Sequence, residues 1–403
     1  MARGSRHARK LARTFQLRDW SVGLSGARQC VAQNGVTRAA GSGLRRGQCH
    51  GLLTVGWSYS YKELDMRAKP SVALYSTCPP YRGGSGETYL QHVRDVARWS
   101  EAGGCEGILV YTDNSLFDPW LVSQVVVEAT RTLTPLVAVQ PVYMHPYTVA
   151  KMMATLSHLY GRRIDLNMVA GGFKNDLLAL NDETPHDARY ERLVEYTSII
   201  LQLLAGAGPV TFRGRFHAVT NLTLVPKLDP GLSPRVTVSG SSEAGLAAAR
   251  VLNGLSVKYP GPLGQAEAQP QDGNGAYGIR VGIIAREREE EAWVTAHARF
   301  PEDRRGQVTH QLAMKVSDSS WHKQLSDVSA HQGAADTYWM VPFQNYKTFC
   351  PYLVGSYDRV AEELGRYLAT GCCFIIHDVP ASADEFSHIG TVIARASASV
   401  TQA

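Results

Sequence analysis

From Ser71 onward the chain alternates short apolar runs with longer stretches whose apolar residues recur at helical spacing. The pattern predicts strands over 71–76, 105–111, 134–140, 162–168, 235–239, 254–259, 277–285 and 372–377. The helices that follow them fall at 87–101, 119–130, 146–160, 187–205, 242–253, near 262–268, at 287–299 and at 383–396. Strands separated by helices pair in parallel and bury both faces, and eight such units close into a (β/α)8 (TIM) barrel. An open doubly wound sheet is the competing arrangement, but no Gly-x-Gly-x-x-Gly follows the first strand to support it.

Two segments break the rhythm. Residues 206–234 hold a hairpin-like run, Val210 to His217, ahead of the fifth strand. Residues 300–356 form a long insertion between strands seven and eight, with a polar, helix-like half (Arg304 to Leu325) and an aromatic half (Tyr338 to Tyr352). An insertion at the catalytic face suits a lid, soluble when open and sealing when shut. A dimer contact is one alternative, because exposed aromatic residues also mark interfaces, and an ordinary elaboration packed beside the barrel is the other.

Charge divides the chain. Residues 1–65 carry 11 Lys/Arg against 3 Asp/Glu, a net of +8, whereas the whole chain nets +5, so the remainder is −3. This leader shows neither helical nor strand periodicity, and Met66 directly precedes the first apolar strand. It is open to reading as a basic arm, a targeting peptide or a non-native upstream extension, disordered in each case. The folded domain is expected over 66–403, with no nucleic-acid partner. No apolar run reaches the roughly 18 residues that cross a bilayer, so no membrane partner is expected. Seven scattered cysteines form no C-x-x-C pair and no metal spacing, as suits reduced thiols in the cytoplasm and no bound metal.

A barrel does its chemistry where its strands end. The fifth strand runs into Ser239-Gly240-Ser241-Ser242, and a helix starts at once. Free backbone amides, serine hydroxyls and the positive end of the helix dipole together make an anion site, though an ordinary serine N-cap gives the same pattern. Other strand ends supply Thr112, Gln140, His145, Asn167, Ala170, Gly171, Tyr259 and His377. Amides, small residues and turns suit a broad polar cofactor, and the scarcity of carboxylates argues against hydrolysis.

Several stretches in order carry a family resemblance: Asp118-Pro119-Trp120, Val137 to Pro141, Ala150 to Leu156 with Gly161-Arg162, Asn167 to Gly172, Arg189-Tyr190-Glu191, the serine turn, and Leu353 to Ser356. In these the chain resembles the bacterial luciferase-like flavin monooxygenases, and within them the alkanesulfonate monooxygenase branch. The resemblance implies a two-component system. A separate NAD(P)H:flavin reductase supplies FMNH2, and this chain, a homodimer or homotetramer, oxygenates a small organic substrate with O2 through a flavin (hydro)peroxide. It places Ser241, Ser242 and Tyr190 around the flavin phosphate. It places Gln140, Asn167, Ala170 and Gly171 near the isoalloxazine and Thr112 at its edge. His145, Arg280 and His377 are the candidate catalytic residues. An F420-dependent dehydrogenase and a non-catalytic flavin-binding barrel are the alternatives. Departures from the branch pattern are Leu116, Gly282 and Val379, where the sulfonate enzymes carry polar side chains, so simple alkanesulfonates are not the expected substrates.

Overall fold

The computed structural model describes residues 72–171, 173–262, 275–316 and 336–402. The leader at 1–65, Gly172, nearly all of the short helix expected near 262–268 and the end of the polar half of the insertion lie outside the described residues. The first half of the fold runs β1 (Ala73–Thr77), α1 (Gly86–Ala102), β2 (Gly107–Val110), α2 (Pro119–Ala129), β3 (Thr134–Val139), α3 (Pro146–Tyr160), β4 (Asp165–Val169), α4 (Lys174–Ala179) and α5 (His186–Ala205). A hairpin follows, β5 (Val210–Arg213) and β6 (Ala218–Leu222), then β7 (Val236–Ser239), α6 (Glu243–Val251) and β8 (Leu255–Lys258). The remainder is β9 (Tyr277–Arg286), α7 (Glu289–Arg299), α8 (Arg304–Val316), β10 (Tyr338–Trp339), α9 (Val341–Gln344), β11 (Tyr352–Ser356), α10 (Tyr357–Ala369), β12 (Cys372–His377) and α11 (Glu385–Gln402).

Strands β1, β2, β3, β4, β7, β8, β9 and β12 pair in parallel in that order, and β12 returns to β1, so the sheet closes as the expected (β/α)8 barrel. Alternation along the strands gives two apolar layers. Tyr75, Leu109, Leu136, Val257, Phe374 and Ile376 fill the lumen. Leu74, Ile108, Ile279, Val281 and Ile375 face outward and pack on helical residues such as Val93, Val126, Leu364 and Ile389. Each such burial is worth about 1.5–3 kcal/mol, which makes the double layer the main stabilising term.

A polar plug closes the lumen at the strands' N-terminal end. Tyr75 Oη donates to Asp165 Oδ2 at 2.7 Å, the Arg235 amide donates to Asp165 Oδ1 at 2.7 Å, and Arg163 Nε lies 3.1 Å from the same oxygen. A Cβ at Gly107 would overlap the Tyr75 ring, so glycine there is what lets the ring lie across the lumen.

The insertion departs from a simple cover. β9 runs 10 residues, and only its first half closes the barrel. Its second half, Gly282 to Arg286, pairs with β11, and β10 adds antiparallel to β11. The aromatic half of 300–356 is thereby built into the sheet: Tyr338, Trp339, Phe343 and Tyr352 are buried. It walls the mouth with most of its aromatic side chains packed, while Phe349 lines the cavity.

Candidate active site

Two different halves make up the C-terminal mouth. On one side lies the serine turn. Gly240 sits at φ +138°, a conformation that favours glycine, and a Cβ there would overlap Tyr190 Oη. Tyr190, buried on α5, donates to the Ser239 carbonyl at 3.4 Å and also bonds the Ser242 side chain. Ser242 caps α6, accepting from the Gly245 amide at 3.2 Å. Ser241 Oγ is buried with no hydrogen-bond partner. Buried hydroxyls without partners are uncommon, and this one stands beside a helix N-terminus, where an anion is favoured. A flavin phosphate fits that combination.

Next to the turn, Asn167 Oδ1 accepts from Thr237 and Ser239 hydroxyls, both at 2.9 Å. Those bonds fix the side chain while leaving its amide N–H groups without a partner among the described residues. Gln140 is buried and donates to Tyr143 Oη at 3.4 Å, and Tyr143 donates to Asn114 Oδ1 at 2.8 Å. Asn114 in turn donates to the Asp176 carbonyl at 3.0 Å, tying the loop after β2 to α4. Ala170 is buried, and Gly171 sits at φ +103° against Leu177. Thr112 is half-buried in the loop after β2. Structure thus gathers Gln140, Asn167, Ser239 and the serine turn on three consecutive strand ends, while Tyr190 reaches them from α5.

The other half is a cavity of about 530 Å³ at the ends of β9, β12, β1 and β2, lined among others by Tyr111, Arg280, Phe300, Phe349 and Asp378. Arg280 is buried, lies 5.1 Å from the centre of the Tyr111 ring, and donates to Tyr259 Oη at 3.5 Å. Burial alone would lower its pKa, but Tyr259, Cys350 and Asp378 outweigh that and hold the guanidinium firmly protonated. Asp378 Oδ2 accepts from Tyr352 Oη at 2.8 Å. Tyr352 reaches it across Gly282, its register partner on β9, where any Cβ would overlap the tyrosine ring. Arg299 pairs with Glu385 at 2.5 Å and donates to the Val379 carbonyl, and Lys347 pairs with Asp303 at 2.6 Å. Tyr81 stacks on Phe117 with centroids 4.2 Å apart, and Tyr89, which lines the cavity, meets both edge-on.

The three expected catalytic side chains are dispersed. Arg280 lines the cavity. His145 is exposed and caps α3, its Nδ1 accepting from the Tyr147 amide at 3.2 Å. His377 shares the outward face of β12 with Ile375 and is fully buried. Burial lowers its pKa to about 4, so the ring is neutral. Its neighbour Asp378 is the residue that reaches the cavity. Sequence reasoning noted Asp378 at the end of strand eight and Tyr352 in the insertion without giving either a site role, and passed over Arg299. No group of three His, Cys, Asp or Glu suited to a metal occurs among the described residues, and no helix there is long and apolar enough to cross a membrane.

Comparison with known proteins agrees with this architecture. The family described as luciferase-like monooxygenase matches residues 73–372. The 4-(gamma-L-glutamylamino)butanoyl-[BtrI acyl-carrier protein] monooxygenase BtrO of Niallia circulans is 35% identical over 335 residues, covering 81% of this chain and 98% of the relative. Among solved structures, riboflavin lyase RcaE superposes with a TM-score of 0.64 at 15% identity, covering 80% of this chain and 91% of its own. EDTA monooxygenase EmoA from Chelativorans sp. BNC1 gives 0.58 at 16% identity, covering 82% and 94%. Matched over most of its barrel, and aligned with a relative along nearly that relative's whole length, this chain belongs to the luciferase-like monooxygenase family.

Proposed function

We propose that the protein is the oxygenase of a two-component system, using reduced FMN and O2 to oxygenate an acyl group delivered as an acyl-carrier-protein thioester. The observation that carries the cofactor is the serine turn: a buried, unpartnered Ser241 hydroxyl at a helix N-terminus, with Gly240 allowing close approach. The 35%-identical relative, whose name specifies a carrier-bound acyl substrate, supports the substrate class. A separate NAD(P)H:flavin reductase in the cytoplasm supplies the reduced flavin.

When bound, reduced FMN supplies the electrons that activate O2; the chain supplies position, charge and dryness. Ser241, Ser242 and the first amides of α6 hold the phosphate. Asn167 and Gln140 offer amide groups to the ring edge, each fixed by its own hydrogen bonds. Tyr111, Phe300, Phe349 and the prolines at 79, 80 and 380 wall the cavity and keep water from the reacting centre. Arg280 places a permanent positive charge in the same cavity, where it can hold an anionic group of the substrate.

Anaerobic titration with FMNH2 and with reduced F420 tests the cofactor. Mixing with labelled O2 and an acyl-pantetheine or carrier-protein thioester, followed by mass spectrometry, tests the reaction. Tight binding of FMNH2 with one labelled oxygen in the acyl product is expected. Preferential binding of F420, or product without label, overturns the proposal.

A further inference from the structure

We infer that the cavity receives the free end of its substrate as a zwitterion, an α-amino carboxylate, with Arg280 taking the carboxylate and Asp378 the ammonium. This rests on the function proposed above and names the substrate class of the same site.

Both groups line one cavity and are nearly buried, at 8% and 6% exposure, yet no ion pair joins them. Arg280 has one long hydrogen bond, to Tyr259 Oη, and its Nε has no partner. Asp378 accepts one hydrogen bond, from Tyr352 to Oδ2, and Oδ1 accepts none among the described residues. A buried charge left so poorly matched is costly unless a ligand completes it. Other cations lining the cavity are Arg299, paired with Glu385 and the Val379 carbonyl, Lys347, paired with Asp303, and the exposed Arg82, which donates to the Lys347 carbonyl. A plain carboxylate would satisfy Arg280 and be repelled by Asp378. A plain amine would do the reverse. An α-amino acid presents both charges a bond or two apart and leaves the net charge of the cavity unchanged.

The carboxylate is also held for the purpose. Gly282 clears the space in which the Tyr352 ring lies, and the ring fixes Asp378. An amino group bound there meets an oriented acceptor, and hydrogen bonds to charged groups discriminate strongly against ligands that lack them.

The test is calorimetric binding of two pantetheine thioesters to the full-length protein. One carries γ-L-glutamyl-4-aminobutanoyl; the other carries glutaryl-4-aminobutanoyl, identical but for the missing amino group. The amino probe is expected to bind at least about tenfold tighter, and Asp378→Asn to bring the two within about twofold by weakening the amino probe alone. Tyr352→Phe keeps the carboxylate and should shrink the preference partway, which covers the case that Asp378→Asn does not fold. Equal affinities in the wild type, a preference intact in Asp378→Asn, or no binding of either probe overturns the inference. A clear preference without oxygen incorporation would sink the proposed function instead and leave the inference standing.

Discussion

Ser241→Ala separates a binding role from a structural one, because the two predict opposite effects on stability. The Ser241 hydroxyl is buried and makes no hydrogen bond among the described residues, so deleting it removes a polar group that nothing there compensates. Unfolding free energy of the flavin-free protein should stay the same or rise slightly, since an unsatisfied buried group is destabilising. Flavin affinity should fall. A hydrogen bond to a charged phosphate is worth about 1.5–3 kcal/mol, which at 1.4 kcal/mol per decade is roughly a 10- to 150-fold weaker Kd. Ser242→Ala behaves differently, because Ser242 also caps α6 through the Gly245 amide. Loss of that cap costs about 0.5–2 kcal/mol of stability in addition to any loss of binding. Urea denaturation without flavin and anaerobic FMNH2 titration measure the two quantities. Unchanged FMNH2 affinity in Ser241→Ala, or a lower stability with no change in binding, would falsify the phosphate assignment.

Three further outcomes follow from burial and packing. The fold holds His377 neutral, its pKa lowered by burial from 6.5 to about 4. The unfolded chain therefore takes up this proton first as pH falls, so the contribution is intact above pH 6.5 and declines by roughly 3 kcal/mol on the way to about pH 4; His377→Gln should flatten that part of the stability–pH curve, and an unchanged slope would refute it. Asp165→Ala strands Tyr75, Arg163 and the Arg235 amide at the barrel floor, and urea denaturation should show a loss of about 3–5 kcal/mol. Gly282→Ala drives a methyl into the Tyr352 ring and should cost about 1–3 kcal/mol of stability; a variant as stable as the parent would show that the ring can move aside.

The barrel and the serine turn were legible because their signals are local. Strand and helix periodicities lie within short windows, and the serine turn carries strand end, glycine and cap in consecutive residues. What was missed depends on contacts between distant segments. Tyr352 and Asp378 are 26 residues apart, and Tyr352 meets Gly282 across a strand pairing that no periodicity announces. The aromatic residues of the insertion read as a cover, a dimer contact or a packed elaboration, because composition alone cannot tell a buried aromatic from an exposed one. His377 read as a strand-end group at the mouth; strand parity turns it outward and gives the inward place to the next residue.

The absence of polar side chains at positions 282 and 379 acquires a physical cause once this wall is seen; nothing in the structure explains Leu116. Gly282 is small because the Tyr352 ring fills its space, and Val379 contributes its carbonyl to Arg299 rather than a side chain to the cavity. A sulfonate offers negative charge and acceptor oxygens but no donor. It could meet Arg280, yet Asp378 in the same cavity would repel it and find no partner. Linear alkanesulfonates should therefore release no sulfite in the presence of FMNH2, O2 and a reductase. Gly282→His should not rescue the reaction, because the imidazole would collide with Tyr352 before it reached a ligand. The double variant Gly282→His with Tyr352→Ala makes room, but it also frees Asp378 from its only hydrogen-bond donor among the described residues, so the repelling carboxylate remains. Sulfite released in step with oxygen consumed, by the wild type or by Gly282→His alone, would show that the Asp378 side of the cavity does not govern which head group is accepted.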